Sequence, residues 1–422
     1  MAGSLAIWLY GRQVAVVEPE RKGRLRLYYT EGALTAYEGG TPLLSLALPL
    51  TRDRYPNGVT RAFLDGLLPE GEPRRVIAAD LDLPASDVFG LIGALGKDCA
   101  GALVIQSPDD TPPPVSTVEG AEPLGPDDLG ELVANLRSAP LGIDRKVRLS
   151  LAGVQEKLLL TRMPDGGWGR PVEGTPSTHI LKPEIERFRN TVENEAFCMR
   201  IAKHLQLPVA NVETMVVDKR PVLVVQRYDR VIDSAGTVQR IHQEDFCQAL
   251  GLPPDRKYEQ ESGPTLARIA RILQEVAESS SIDTLLGALT VNVAIGNCDA
   301  HGKNYSLLHT DSGALRLAPL YDLLSTRLYP VDDKLAMYVD GVQTADQVTS
   351  DRIINEAARW GMSRKTAEAI VSDSLDRLPA AISAAAEETD HCPAELVELV
   401  SRRVAQLRGS AAPSRRRAPP IS

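Results

Sequence analysis

The chain has 422 residues, 43% hydrophobic and 24% charged, a near-average globular composition that excludes wholesale disorder and fibrous repeats. At roughly 100 to 200 residues per domain, this length predicts two or three domains. The 47 basic residues are outnumbered by 56 acidic ones, and the net charge of −9 excludes nucleic-acid binding by bulk charge.

Five cysteines (Cys99, Cys198, Cys247, Cys298 and Cys392) are scattered and never in C-x-x-C spacing, so neither a disulfide framework nor a zinc ribbon is expected. The N-terminal Met1 to Tyr10 stretch has no basic segment and is broken by a Gly-Arg-Gln turn before it reaches signal-peptide length. No apolar run approaches the roughly 18 residues of a membrane span. The expectation is a cytoplasmic protein with no membrane contact.

In chain order, Leu5–Tyr10, Val14–Val17, Leu25–Tyr29 and Pro42–Leu50 alternate apolar runs with turn residues and predict strands. From Gly58 to Leu95 the period lengthens, with Ser86 and Asp87 as helix caps, and short helices are expected to pack on that sheet. Residues 1–106 are thus expected to form an N-terminal β-rich domain. The Pro-rich, polar stretch from Ser107 to about Pro126 predicts a surface loop within a connecting segment, 107–140.

Residues 141–230 again predict strands (Val147–Leu149, Lys157–Thr161, His179–Leu181, Val212–Val217, Val222–Val225) around one helix, Glu193–Leu205. Residues 231–408 turn helical: Asp245–Leu250, Leu266–Ala277, Ile282–Ala294, Ser350–Trp360, Ser363–Leu378 and Ala394–Leu407. A disordered tail with Arg415, Arg416 and Arg417 is expected over 409–422. The whole predicts an α+β fold of two lobes, a β-rich part followed by a mainly helical one, with a cleft between them.

The segment Asn297-Cys298-Asp299-Ala300-His301-Gly302-Lys303-Asn304 gathers charged and amide side chains in one tight loop after an apolar helix. Phosphoryl transfer uses an Asp to orient or deprotonate the attacking hydroxyl and an Asn five residues later to hold Mg²⁺, the spacing of Asp299 and Asn304. Such a pair alone arises readily by chance in loops, but Asp322 follows in Tyr321-Asp322-Leu323-Leu324-Ser325, where one carboxylate at a turn suits a second metal ligand.

Upstream, the Ser150–Lys157 loop lies between strand-like runs, as a loop folded over phosphates would, though its single Gly153 makes it a weak cradle when taken alone. Lys182, at a strand end before Pro183, is placed to reach phosphates and to pair with a helix Glu; of Glu193 and Glu195, the second is expected. Between the lobes, Gln226 and Tyr228 lie where a hinge would meet an adenine. Gly93-Ala94-Leu95-Gly96-Lys97-Asp98 fails as a Walker loop, since no Ser or Thr follows the Lys. The six histidines lack zinc-binding spacing.

Together these segments resemble the HipA family, the toxin kinases of HipBA-type toxin–antitoxin modules. Ser150-Leu151-Ala152-Gly153-Val154-Gln155-Glu156-Lys157 is similar to its S-x-A-G-x-Q-x-K loop, and Thr178-His179-Ile180-Leu181-Lys182-Pro183 to its T-H-I-x-K-P strand. Asn194-Glu195, Gln226-Arg227-Tyr228-Asp229, Asp299–Asn304 and Tyr321–Ser325 follow in family order, and the resemblance runs from about Leu5 to about Leu407.

The resemblance implies a distant protein-kinase-like fold and an ATP- and Mg²⁺-dependent serine/threonine kinase. Asp299 would be the catalytic base, Asn304 and Asp322 the Mg²⁺ ligands, and Lys182, paired with Glu195, a phosphate-binding lysine. Ala152, Gly153, Val154, Gln155, Lys157, Gln226, Tyr228, His301 and Lys303 would complete the ATP site, and Ser150 would be autophosphorylated. Phosphate there would add roughly two negative charges beside a site built for ATP, ejecting the loop. The resemblance further implies a HipB-like helix-turn-helix antitoxin carrying the DNA contacts, and a protein substrate such as glutamyl-tRNA synthetase or another aminoacyl-tRNA synthetase. Gln226 departs from the acidic residue common at that hinge. A non-catalytic corepressor and a small-molecule phosphotransferase remain alternative readings.

Overall fold

A computed structural model describes residues 3–113, 117–136, 140, 155–172, 174–309 and 314–410. Ser150, Ala152, Gly153, Val154, the Val147–Leu149 strand and the arginines of the tail lie outside the described residues.

Strands β1 (Leu5–Leu9), β2 (Arg12–Pro19), β3 (Leu25–Tyr29) and β4 (Leu103–Gln106) form an antiparallel sheet in the order β3-β2-β1-β4. The β1–β2 turn is made by Tyr10 and Gly11, both in the left-handed region, so the first strand ends one residue before Tyr10. Helices α1 (Glu31–Ala36), α2 (Asn57–Gly66), α3 (Gly71–Asp80) and α4 (Val88–Leu95) accompany this sheet, with buried Phe63, Leu64, Leu91 and Ile92 joining its core. Asp87 caps α4 by accepting from the Gly90 amide at 3.0 Å, whereas Ser86 does not cap it.

The apolar run Pro42–Leu50 is not a strand. Its amides close local turns (Leu43 N to Thr41 O, Leu48 N to Ser45 O), and Leu43, Leu44, Leu48 and Leu50 are buried as irregular chain. Apolar content alone cannot separate a buried coil from a buried strand. The proline-rich connection also differs from expectation at its end: β5 (Glu122–Leu124) adds an edge strand to the second sheet, and α5 (Pro126–Ala134) follows.

That sheet comprises β5, β6 (Leu158–Arg162), β7 (Trp168–Arg170), β8 (His179–Pro183), β9 (Val212–Val217) and β10 (Arg220–Gln226), ordered β5-β7-β6-β8-β10-β9. Helix α6 (Thr191–His204) crosses between β8 and β9 and buries Val192, Ala196, Phe197 and Ile201. Short strands β11 (Arg230–Ile232), β12 (Val238–Arg240) and β13 (Gln243–Asp245) lead through α7 (Phe246–Ala249) into helices α8 (Leu266–Val276) and α9 (Ser280–Ile295).

Next come β14 (Ser306–His309), β15 (Leu315–Leu317), β16 (Lys334–Val339), β17 (Val342–Thr344) and helices α10 (Ser350–Arg359), α11 (Arg364–Glu388) and α12 (Ala394–Ser410). Helix α9 is almost wholly buried at the centre of the largest apolar cluster. The periodic pattern ended α11 at Leu378, before Pro379, yet the helix continues because Ala381, Ile382 and Ala385 bury in that core. Tertiary burial there outweighs the roughly 3 kcal/mol cost of an internal proline. The result is the two-lobed, β-rich then helical α+β arrangement expected.

The N-terminal unit is joined to the hinge after β10 by a buried charge cluster. Asp98, 0% exposed, accepts from Ser177 Oγ at 2.7 Å, Arg230 Nη2 at 2.9 Å and Arg227 Nη1 at 3.3 Å, with Arg240 Nη1 3.2 Å away. Asp229 returns to Arg227 at 2.8 Å and accepts the Gly101 amide at 2.8 Å.

Candidate active site

A cavity of about 860 Å³ opens between the lobes and is lined from the β sheet by Lys157, Lys182 and Gln226, and from the helical side by Asp299, His301, Asn304 and Asp322. Gly66 and Glu70 of the N-terminal unit also line it.

Lys182 sits on β8, where sheet alternation points it away from buried Leu181 and into the cavity. Its Nζ donates to Glu195 Oε1 at 2.7 Å and to Asp322 Oδ1 at 2.8 Å. Glu195 is therefore the helix partner, as the sequence suggested. Burial pushes its carboxyl pKa up, against the pull of the Lys182 ammonium. The preceding residue, Asn194, clamps the other end of the Asp322 loop, accepting from Ser325 N at 2.8 Å and donating to Ser325 O at 3.0 Å.

Asp322 holds a left-handed backbone, φ 59°, a conformation that Asp and Asn tolerate better than most residues and that recurs at functional sites. Burial alone would raise its carboxyl pKa, but Lys182 outweighs burial and holds it well below the usual carboxylate range. Its second oxygen accepts from Asn304 Nδ2 at 2.7 Å.

The Asp299 loop begins where α9 stops. Gly296 takes the left-handed cap, φ 70°, and turns the chain out of the helix. Asn297 then braces the turn, donating to Asn292 Oδ1 at 2.8 Å and accepting from Asp299 N at 3.1 Å. Gly302 packs so closely on Pro264 that a Cβ would lie 2.3 Å from its ring. Asp299 reaches the cavity, with Oδ1 accepting from Tyr258 Oη at 2.9 Å. The surrounding protein raises the Asp299 pKa, and the Tyr258 hydrogen bond partly offsets that rise.

The remaining expected residues divide. Gln155 and Lys157 line the cavity, and burial together with Lys182 pushes the Lys157 pKa down to about 7. His301 lines it as a buried, neutral imidazole whose Nδ1 has no hydrogen-bond partner, its pKa pushed down to about 3 by burial first and Lys257 second. Gln226 and Tyr228 line the hinge edge; Gln226 Oε1 accepts from Asn211 at 3.0 Å, and the Tyr228 hydroxyl donates to Gln243. Lys303 lines the cavity wall, but its Nζ is bound to Asp245 Oδ2 at 2.7 Å and Gly66 O at 3.3 Å, with Glu70 3.7 Å away. The ammonium thus ties the loop to the N-terminal unit.

Tyr258, Lys257, Glu70 and Asp245 also shape the site without having been singled out in it. Tyr258 and Lys257 lie in a polar connection with no periodicity, Glu70 follows a helix in a distant unit, and Asp245 was expected only to begin α7. It does cap that helix, accepting from Gln248 N at 2.9 Å, while its other oxygen takes Lys303.

A divalent cation fits these residues. Asn304 Oδ1 is buried without a hydrogen-bond partner, and its neighbour Asp322 carries a carboxylate that stays ionised. One carboxylate and one amide oxygen, completed by phosphates and water, is a usual protein contribution to a Mg²⁺ site. Among the described residues no cluster of three or more His, Cys, Asp or Glu is arranged around a metal, and no helix is long and apolar enough to cross a membrane.

Comparison with known proteins agrees with the geometry. Residues 5–106 match the model of the HipA N-terminal domain and residues 149–382 that of the HipA-like C-terminal domain. The chain is 39% identical over 391 residues to the Sinorhizobium fredii protein named "Putative kinase Y4mE", covering 91% of this chain and 92% of that one. It is 31% identical over 367 residues to the "Serine/threonine-protein kinase toxin HipA" of Shewanella oneidensis, covering 82% and 81%. Its fold superimposes on a chain of the solved Shewanella HipA, HipB and operator DNA complex with a TM-score of 0.82, at 27% identity and covering 96% of each chain. With both domain models matched in order and the Lys182, Asp299, Asn304 and Asp322 side chains lining one cavity, the chain belongs to the HipA family of kinases.

Proposed function

We propose that this protein is an ATP- and Mg²⁺-dependent serine/threonine protein kinase and the toxin of a type II toxin–antitoxin pair. The observation that carries the reading is the Lys182 bridge to Glu195 and Asp322, with Asn304 on the other Asp322 oxygen and Asp299 at the same cavity.

Lys182 holds α- and β-phosphate oxygens, and Glu195 keeps its ammonium aimed at them. Lys157, and Gln155 beside it, line the phosphate end, while the hinge backbone at Gln226 and Tyr228 meets the adenine. His301, a neutral donor or acceptor, and Lys303, which fixes the loop, complete the phosphate-side wall. Asp299 orients the substrate serine or threonine hydroxyl and accepts its proton. The hydroxyl oxygen bonds to the γ-phosphorus as the bond to the β,γ-bridging oxygen breaks, releasing ADP. Asn304 and Asp322 would hold Mg²⁺, which when bound would supply charge neutralisation at the phosphate oxygens.

Ser150 is the proposed autophosphorylation site, in the sequence segment that also holds Ala152, Gly153 and Val154. A HipB-like helix-turn-helix antitoxin is the proposed partner, supported by the Shewanella complex and by the net charge of −9, which leaves DNA contacts to a more basic protein. An aminoacyl-tRNA synthetase such as glutamyl-tRNA synthetase is the proposed target class, and the cytoplasm the proposed compartment.

Intact-mass and peptide mass spectrometry after incubation with Mg-ATP tests the reading. One phosphate on Ser150, absent from Asp299→Asn, is expected. Failure of the unmodified protein to bind ATP would overturn it.

A further inference from the structure

The hydroxyl of Tyr258 is the sole hydrogen-bond donor that the described side chains present to the Asp299 carboxylate. It meets Oδ1 at 2.9 Å and leaves Oδ2 without a described partner. The phenol is fixed from several sides. Its ring packs edge-on against His301 at 5.4 Å, and the Lys257 ammonium lies 5.5 Å from its centroid. The Tyr258 carbonyl accepts from Gly263 N at 3.0 Å, and Gly263 has no room for a Cβ, which would fall 2.4 Å from Arg256 O. Glu259, next in sequence, accepts from Tyr338 N at 2.7 Å, and Lys257 O accepts from Gly302 N at 3.1 Å inside the Asp299 loop.

From this geometry we infer that Tyr258 is a positioning residue of the transfer reaction. It holds Oδ1 so that Oδ2 faces the incoming hydroxyl, and its hydrogen bond favours the ionised form of Asp299, the form that can take the proton. This inference rests on the kinase reading above. The protonated carboxyl gains less from a phenol donor than the carboxylate does, so the bond lowers the pH at which the base becomes available. The other charged groups around this pair are Lys257, Glu70, Asp322 and Glu261, with His301 neutral. Lys257 acts in the same direction as the phenol, and Asp322 and Glu70 oppose it.

The test compares kcat and KM for ATP across pH 5 to 9 in the full chain and in Tyr258→Phe, with a peptide or autophosphorylation readout. The acid limb of kcat is expected to move up by about one pH unit, with KM for ATP unchanged within about twofold. On an Asp299→Asn background, Tyr258→Phe should change the residual rate no further. An unmoved acid limb, or a rise in KM for ATP at unchanged kcat, would overturn the inference. Should Tyr258→Phe not fold, 3-fluorotyrosine at position 258 keeps the shape with a stronger donor and should move the limb downward; no movement refutes the inference equally. The two readings separate at the control. Full activity in Asp299→Asn sinks the base assignment itself, whereas a dead Asp299→Asn beside an unshifted Tyr258→Phe sinks only the role of Tyr258.

Discussion

Replacing Asp98 by Asn removes one charge, with little change of volume, from a cluster in which Asp98 and Asp229 face Arg227, Arg230 and Arg240. The Asn would oppose Arg230 Nη2 and Ser177 Oγ, now 2.9 and 2.7 Å from carboxylate oxygens, and would leave Asp229 as the counter-charge to three buried guanidinium groups. Breaking a buried pair in this way costs about 3 to 5 kcal/mol. With a denaturant dependence of about 3 kcal/mol per molar for a chain of this size, the urea midpoint should fall by about 1 to 1.7 M.

The pH dependence provides a second check. Burial would raise the Asp98 carboxyl pKa, but Arg230, Arg227 and Arg240 together overcome burial and hold it well below its ordinary value. A folded pKa depressed below the unfolded value of about 3.9 gives stability that is complete above that pH and lost as pH falls toward the folded pKa. The gap between wild type and Asp98→Asn should therefore be flat from pH 5 to 8 and narrow below about pH 4. Urea titrations followed by tryptophan fluorescence measure both. A midpoint within about 0.3 M of wild type at pH 7 would refute the charge accounting.

Asp299→Asn and Asp322→Asn should each lower transfer by at least about a hundredfold, as radiolabelled phosphate incorporation would record; calorimetry should find Asp299→Asn melting like the parent and Asp322→Asn, which removes one of the two carboxylates on Lys182, melting somewhat lower. Lys182→Met leaves buried Glu195 without its cation and should cost about 3 kcal/mol at neutral pH; because burial already favours the protonated acid, that loss should shrink as pH falls, as thermal melts at several pH values would show. Lys157, held near pKa 7, should take up a proton when ATP phosphates arrive, so ATP titration calorimetry at pH 8 in buffers of different ionisation enthalpy should register uptake that Lys157→Gln abolishes. Chelation of divalent cations should stop transfer without shifting the melting temperature.

That Asp299 and Asn304 would meet at one cavity was legible because their spacing is local. Asp299 and Asn304 are five positions apart, and a cap glycine with a braced turn converts that spacing into a shared wall. Lys182 and Glu195 were legible for a related reason: a strand-end Lys before Pro183 and a helix that follows at once leave few ways to meet. What the pattern could not supply were contacts between distant segments. Lys303 stood among phosphate-binding candidates, yet its ammonium is engaged by Asp245 and Glu70, the second of which is 233 residues away in sequence by their numbers. Asp98 was passed over with the failed Walker-like run, although three arginines from the hinge region converge on it. The Pro42–Leu50 run and the passage of α11 through Pro379 were misjudged because burial, which is set by the whole fold, decided both.

The left-handed backbone at Asp322 also has a genetic consequence. Both aspartate codons become asparagine or glycine codons by a single transition, and those two residues are the ones best suited to that dihedral. Selection against the protein's activity therefore has a short route, one base change that removes the carboxylate and leaves the turn unstrained. Inactive alleles recovered under such selection should be enriched in Asn and Gly at position 322 and should accumulate as folded, full-length protein. Substitution by valine or isoleucine at the same position would strain the turn and reduce abundance as well as activity.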